Sequence, residues 1–244
     1  MKYDKQQIEL DFLLQKRIDQ SIQQMKDCEP PEGYFLAFSG GKDSCVLLDL
    51  AKKAGVKFDA HYHLTTIDPP ELVRFIKTFP EVQIDKPEYT FWQLVKKELI
   101  PPTRKIRYCC RYLKEGYGDN RVCLVGIRAK ESSNRANRKL VGRCEKRNKQ
   151  WVSPLLYWAS TDIWNYIYSR GLRYCKLYDE GRDRLGCILC PYRNKHRLED
   201  VERFPTYART AVIVFNWVVK ERKRLGRKCT WKDGQEMFDW WLEI

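Results

Sequence analysis

The sequence predicts an α/β fold, a parallel sheet with flanking helices followed by a helical C-terminal extension. Three observations carry this reading. The apolar run at residues 34–38 enters Ser39-Gly40-Gly41-Lys42-Asp43-Ser44 and then the apolar stretch Cys45-Val46-Leu47-Leu48, which is a strand, a glycine turn and a helix. A second apolar run at 58–64 completes a βαβ pattern, and such units give parallel strands with right-handed crossovers. Beyond residue 191 the apolar residues return at helical spacing.

The elements follow in order. Ile8, Phe12, Ile18, Ile22 and Met25 lie close to helical spacing and predict an N-terminal helix, closed by the loop Glu29-Pro30-Pro31-Glu32-Gly33. Residues 34–38 form the first core strand. The helix after the glycine turn ends near Gly55, a residue suited to a left-handed cap. After the strand at 58–64, Asp68-Pro69-Pro70-Glu71 caps a helix to about residue 78, since proline is tolerated in a first helical turn. Val82-Gln83-Ile84 is a short strand, residues 90–99 a helix stopped by Pro101-Pro102, and 122–126 a buried strand. Residues 128–149 carry many charges and almost no apolar periodicity, and read as a mobile basic loop. Ser160-Thr161-Asp162 starts a helix bearing Ile163, Trp164, Ile167 and Tyr168, and further helices are expected at 198–204, 207–225 and 231–241. The expected division is an N-terminal helix and loop (1–33), an α/β domain (34–191) and a helical extension (192–244).

The turn at 39–44 makes an anion site. Gly40 and Gly41 bring backbone N–H groups near a ligand, and the helix start adds unpaired donors and the positive dipole end. Lys42 contributes charge, and Ser39 and Ser44 contribute hydroxyls. In sheets of this type ligands bind at the carboxyl ends of the strands, where this turn lies.

The chain of 244 residues has a net charge of +14. Between Arg104 and Lys149 fifteen Lys and Arg stand against four Asp and Glu, and a second cluster comprises Lys220, Arg222, Lys223, Arg224, Arg227 and Lys228. A single nucleotide does not require so many cations, so DNA or RNA is an expected partner. No apolar run is long enough to span a membrane, and Met1-Lys2-Tyr3-Asp4-Lys5 lacks the apolar core of a signal peptide. A cytoplasmic protein without a membrane partner is expected. Ten cysteines in a reducing compartment then point to metal ligands or reactive thiols rather than disulfides.

Cys109-Cys110 and Cys187-x-x-Cys190 are the informative cysteines. Four thiolates bind zinc or an iron–sulfur cluster. Adjacent cysteines turn poorly onto one tetrahedral ion, whereas a four-iron cubane spreads its ligand positions, so [4Fe-4S] is favoured, with zinc and plain thiols as alternatives. Arg107, Arg111, Arg182 and Arg184 flank these thiols in sequence and are expected to offset their charge. Cys28, Cys45, Cys123 and Cys175 read as small core residues. Cys144, beside Arg143, and Cys229, beside Lys228, are candidate nucleophiles, because adjacent positive charge favours the thiolate.

The glycine turn resembles the pyrophosphate loop of the N-type ATP pyrophosphatases and the adenylyl-sulfate reductases. Gly126-Ile127-Arg128-Ala129-Lys130-Glu131-Ser132 with Arg135, Ser153-Pro154-Leu155-Leu156-Tyr157-Trp158 followed by Thr161-Asp162-Ile163-Trp164, and Leu177-Tyr178-Asp179-Glu180-Gly181 before Arg184-Leu185-Gly186-Cys187 extend the likeness. Together they resemble the phosphoadenylyl-sulfate (PAPS) reductase family, including the related DNA phosphorothioation enzymes. The resemblance implies an adenine-nucleotide-hydrolase-like (HUP, PP-loop) fold. It implies nucleotide or sulfate binding by Ser39, Gly40, Gly41, Lys42, Asp43, Ser44, Arg128 and Arg135. It also implies a [4Fe-4S] cluster on Cys109, Cys110, Cys187 and Cys190.

Two departures shape the functional expectation. The reductases show Asp-Thr-Gly where this chain reads Thr65-Thr66-Ile67-Asp68, and they carry a thiol in a C-terminal Glu-Cys-Gly-Leu-His tail, where this chain reads Met237-Phe238-Asp239-Trp240-Trp241-Leu242-Glu243-Ile244. The favoured function is ATP- and Mg2+-dependent sulfur transfer to an acceptor such as nucleic acid, with Lys42, Asp43 and Cys144 as catalytic candidates and a sulfur donor or thiol reductant as partner protein. The alternatives are a sulfonucleotide reductase that takes adenylyl sulfate and another thiol, and a non-enzymatic cluster-containing sensor of nucleotide or nucleic acid.

Overall fold

The computed structural model describes residues 5–145, 148–193 and 196–243, with side chains from residue 11 onward. Two compact units interleave along the chain: one comprises 1–62, 71–84 and 118–185, the other 63–70, 85–117 and 186–244.

The first unit is built on a six-stranded sheet. Its strands are β1 (Tyr34–Ala37), β2 (Phe58–His63), β3 (Val82–Asp85), β4 (Val122–Leu124), β5 (Val141–Cys144) and β6 (Lys149–Val152). They lie in the order β3-β2-β1-β4-β6-β5. β1 runs parallel to β2 and β4, and β4 parallel to β6, so the expected parallel sheet is present. β5 is antiparallel to β6 and makes the sheet mixed. The central strand carries Tyr34, Phe35 and Leu36, all buried, as a strand covered on both faces requires.

Helix α1 (Lys5–Asp27) is amphipathic, and its inward residues Ile18, Ser21 and Met25 are buried. Ser21 Oγ donates to Pro154 O at 2.8 Å and accepts from Trp158 Nε1 at 3.0 Å. Helix α2 (Lys42–Ala54) buries Val46, Leu47, Leu50 and Ala51, and it ends at Gly55, whose φ of 70° is the expected left-handed cap. Helix α3 (Pro70–Ile76) begins on proline, and α7 (Ser160–Arg170) is capped at Gly171.

The second unit is helical and carries α4 (Phe91–Glu98), α5 (Tyr108–Cys110), α8 (Arg197–Arg203), α9 (Pro205–Arg224) and α10 (Gly234–Glu243). Thr90 caps α4 with a full capping box to Gln93. A π-helical turn, Arg111–Glu115, continues α5. Phe91, Leu94, Phe215, Val218, Met237, Phe238 and Trp241 form the core, and Trp241 donates its indole N–H to Pro102 O at 2.6 Å. The three C-terminal helices expected from sequence are all present.

The reading of 128–149 as a mobile loop is corrected for its described residues. A 3-10 turn (Ala129–Glu131), helix α6 (Ser133–Ala136) and strands β5 and β6 occupy it. The physical reason is non-local. β6 adds to β4 in register, Val122 opposite Gln150 and Leu124 opposite Val152, and β5 then folds back on β6. Lys146 and Arg147, part of the same expectation, lie outside the described residues.

Candidate functional site

In the first unit the glycine loop leaves the carboxyl end of β1 and enters α2, as the motif predicts. Gly40 has φ 69°, and an added Cβ there would stand 2.7 Å from Ile76 Cγ1 and from Leu72 Cδ1. Only glycine fits the backbone angle and the space together. Ser44 Oγ organises the turn, since it donates to Gly41 O at 2.8 Å and accepts from Ser39 N at 3.2 Å.

Lys42 is buried, and its ammonium reaches Asp43 Oδ2 at 3.3 Å. Asp43 Oδ1 accepts from Arg128 Nε at 2.5 Å. Arg128 is buried too, and its backbone N–H donates to Glu131 Oε2 at 3.0 Å. Glu131 also pairs with Arg135, and Arg184 stands 3.9 Å away. Burial acts to raise the Glu131 carboxyl, but the Arg128 N–H and the two guanidinium groups outweigh it and hold it below the usual carboxylate range. Lys42, Asp43, Arg128 and Arg135 therefore belong to one ionic network beside the loop. Gly126 makes this possible: a Cβ there would meet the Asp43 backbone at 3.3 Å, so β4's exit loop passes directly against the start of α2.

Tyr178 is a participant that sequence reasoning quoted but gave no role. Its Oη accepts the Lys42 N–H at 3.0 Å, and the Lys42 ammonium lies 5.4 Å from its ring centroid. Burial, and then the charges of Asp43, Cys45 and Cys175, hold its phenol protonated against the pull of the Lys42 N–H.

Two thiols of this unit lie near the loop but face the core: Cys45, in the first turn of α2, whose N–H donates to Gly41 O at 3.0 Å, and Cys175, both of which act on Tyr178 by their charge. Cys45, Cys123 and Cys175 are buried, and burial pushes the Cys45 thiol up to about 12. Cys28 is half-buried at the end of α1. Cys144 ends β5 opposite Lys149, at the amino end of the parallel strand β6, whereas the glycine loop lies at the carboxyl ends. The structure does not bring Cys144 to Lys42 and Asp43.

The second unit holds Cys109, Cys110, Cys187 and Cys190 together. A hydrogen bond between the first two thiols raises Cys109, with Cys187 and Cys190 adding to the rise through their charge. The same bond, helped by the Arg107 guanidinium 3.5 Å from Cys110 Sγ, pulls Cys110 down to about 5. Burial raises Cys187, whose Sγ lies 3.5 Å from Thr65 Oγ1. The Lys114 ammonium hydrogen-bonds Cys187 and is held charged by it and by Asp68. Burial lowers the Arg197 guanidinium to about 10, against the charge of Cys190. Among the described residues no three His, Cys, Asp or Glu are gathered to hold a single metal ion. Of the cations expected around the thiols, Arg107 and Arg111 lie in this unit, Arg107 against Cys110, while Arg182 and Arg184 count with the first unit. Lys114 and Arg197 were not singled out from sequence. The segment Thr65 to Asp68 also lies in this unit, with Asp68 Oδ2 accepting the Thr65 N–H at 2.7 Å. Cys229 is half-buried there, its Sγ 3.7 Å from Trp231 O.

No helix among the described residues is long and apolar enough to cross a membrane. Charge in the 104–149 stretch is divided between the units, and part of it is neutralised: Arg121 pairs with Asp59 at 2.7 Å, besides the pairs of Arg128 and Arg135.

Comparison with known proteins adds four findings. A family model described as phosphoadenosine phosphosulfate reductase domain matches residues 33–193. An uncharacterized protein of Methanocaldococcus jannaschii is 33% identical over 193 residues, covering 70% of this chain but only 39% of that longer protein. The adenosine 5'-phosphosulfate reductase of Shouchella clausii is 29% identical over 180 residues, 65% of this chain and 71% of that enzyme. Among solved structures, a PAPS reductase from Candida auris in complex with phosphate superposes with a TM-score of 0.55 at 16% identity, covering 77% of this chain and 97% of that one. That likeness is one of fold.

Proposed function

The chain belongs to the phosphoadenosine phosphosulfate reductase family, and from that premise we propose that it is an ATP-dependent sulfurtransferase acting on an acceptor oxygen, with nucleic acid as the acceptor class. One observation carries this reading over sulfonucleotide reduction. Lys42, Asp43 and Arg128 gather at the glycine loop, whereas the thiols beside it, Cys45 and Cys175, are buried in the core, and Cys144 ends β5 at the amino end of β6. Phosphate activation needs no thiol at the loop.

In the proposed reaction the acceptor oxygen attacks the α-phosphorus of ATP, the bond to the bridging oxygen breaks and pyrophosphate leaves. A sulfur nucleophile then displaces AMP from the adenylated acceptor, so the acceptor exchanges oxygen for sulfur. Loop N–H groups and the α2 dipole hold the leaving phosphates. Lys42 and Arg128 offset their charge, and Asp43 orients both cations through its two oxygens. Mg2+ arrives with the nucleotide.

Four thiols of the second unit share one electrostatic environment with Arg107, Lys114 and Arg197, and those cations offset the charge that a thiolate-bound cluster brings. Cys109, Cys110, Cys187 and Cys190 would hold it, and when bound it supplies electron and sulfur handling.

The second reading is reduction of adenylyl sulfate, favoured by the relatives that carry that name. Anaerobic protein incubated with ATP, sulfide and RNA or DNA is expected to release pyrophosphate and AMP and to yield thiolated nucleic acid. Sulfite release from adenylyl sulfate with a dithiol, and no pyrophosphate from ATP, refutes sulfur transfer in favour of reduction.

A further inference from the structure

Helix α7 has two aromatic faces. Tyr166 points inward, is buried, and donates its hydroxyl to Asp49 Oδ2 at 2.6 Å. Trp164 and Tyr168, one turn apart, stack on each other with centroids 5.6 Å apart and planes at 19°. Tyr168 is 65% exposed, so this pair is not core. Tyr174, past the Gly171 cap, stands edge-on to Trp164 at 5.2 Å, and Tyr178 does the same at 5.2 Å. Tyr178 is the residue whose hydroxyl accepts the Lys42 N–H. All of these residues lie in the first unit. A continuous aromatic series therefore runs from solvent at Tyr168 to the first turn of α2.

Cations are interleaved with the rings. Arg170, Arg173 and Lys176 are all exposed on the same segment. Arg170 stands 3.7 Å from Asp49, and Arg173 lies 4.9 Å from the Phe79 ring centroid. An exposed tyrosine stacked on a half-buried tryptophan, with Arg and Lys on the same segment, has the chemistry of a single-strand platform. Every base offers a π face, and the cations track phosphates.

We propose that the Trp164–Tyr168–Tyr174 surface is the docking platform for single-stranded nucleic acid, an unpaired base stacking on the exposed Tyr168 ring, with half-buried Trp164 behind it, so that the neighbouring nucleotide reaches the glycine loop past Tyr178. The proposal rests on the reading of that loop as the site of acceptor activation. The segment is mixed in charge, since Arg170 faces Asp49 and Tyr174 donates its hydroxyl to the exposed Asp179 at 2.9 Å, so the occupant follows from the exposed ring with Arg173 and Lys176 beside it and from continuity with Lys42.

The test uses the full chain and a single-stranded oligouridylate of a dozen residues, with heparin as a polyanion that has no bases. Tyr168→Ala is expected to weaken oligouridylate binding about 5- to 150-fold, the range of one lost stacking contact, and to leave heparin binding and ATP binding unchanged. Trp164→Leu is expected to do the same, and oligouridylate is expected to quench tryptophan emission in the parent but not in the Trp164→Leu protein. Parent-like oligouridylate affinity in Tyr168→Ala overturns the platform, as does a parallel loss of heparin affinity. Absence of oligouridylate binding by the parent protein overturns it too and leaves the surface to a protein. ATP binding separates the two readings: a chain that binds ATP but not oligouridylate loses the platform and keeps the loop, whereas one that binds oligouridylate through Tyr168 but not ATP loses the loop.

Discussion

Replacing Gly40 with alanine tests whether the glycine loop has the shape assigned to it. The perturbation adds one methyl group at a φ of 69°. An L-residue held in the left-handed region costs about 1–2 kcal/mol. The new Cβ also meets Ile76 Cγ1 and Leu72 Cδ1 at 2.7 Å. Those side chains are 0% and 2% exposed, so neither can swing into solvent to make room. Overpacking of a closed core costs about 1–3 kcal/mol, and the two effects together give about 2–5 kcal/mol. With a urea dependence of about 2 kcal/mol per molar, the unfolding midpoint is expected to fall by about 1–2.5 M. Pyrophosphate binding by calorimetry is expected to weaken in parallel, because the turn that aims the N–H groups must shift. A midpoint within about 0.3 M of the parent, together with unchanged pyrophosphate affinity, refutes both the crowding and the role of the turn.

Three further outcomes follow from the same geometry. Lys42→Ala and Arg128→Ala are each expected to weaken ATP or pyrophosphate binding by about 1.5–3 kcal/mol, the scale of a charge-assisted hydrogen bond, and parent-like calorimetric titrations in both place the phosphates elsewhere. Protein prepared without oxygen is expected to be brown with about four irons per chain, bleached by Ser at Cys109, Cys110, Cys187 or Cys190, and stoichiometric zinc without iron contradicts the cluster. Glu131→Gln reads the ionic network through pH: since the Glu131 carboxyl is held below its ordinary value of 4.5, its contribution is complete above that value and is lost as pH falls through the lowered one. The variant is therefore expected to be less stable than the parent by about 1–3 kcal/mol at pH 7, with the gap closing as pH falls through the lowered value, and a gap that persists in acid refutes the electrostatic account.

The loop was legible because its determinants are local. Gly40 must take a left-handed angle, β1 is a plain apolar run, and α2 shows an apolar face, so residues 34–55 could be read without knowing their neighbours. Strand β5 was not legible for the opposite reason. Val141-Gly142-Arg143-Cys144 has no strong alternation, and its pairing comes from β6, which in turn depends on β4. Trp151 lies so close over Gly142 that a Cβ there would fall 2.3 Å from the ring, a fit visible only once the two strands are paired. That the four cysteines fall in one unit was expected from their spacing and from the family resemblance. Their cations were not, because Lys114 and Arg197 arrive through a π-helical turn and a distant helix. Tyr178 lay inside a quoted motif, but its place at the start of α2 depends on how the whole unit closes.

The separation of the cysteine pairs in sequence also bears on chain entropy. Cys110 and Cys187 are about 77 residues apart, and the 118–185 stretch between their segments counts with the other unit. A group that ties the four sulfurs closes that whole excursion into a loop. Closing a flexible loop of this length costs about 4 kcal/mol of conformational entropy, and in the folded chain the tertiary structure has already met that cost. Ligation then acts as a clip that removes open conformations from the unfolded ensemble, and loss of the group by oxidation restores them. The redox condition of the cysteine set would thereby be expressed as a change in how readily the polypeptide opens, felt across both units because the clipped loop runs through each.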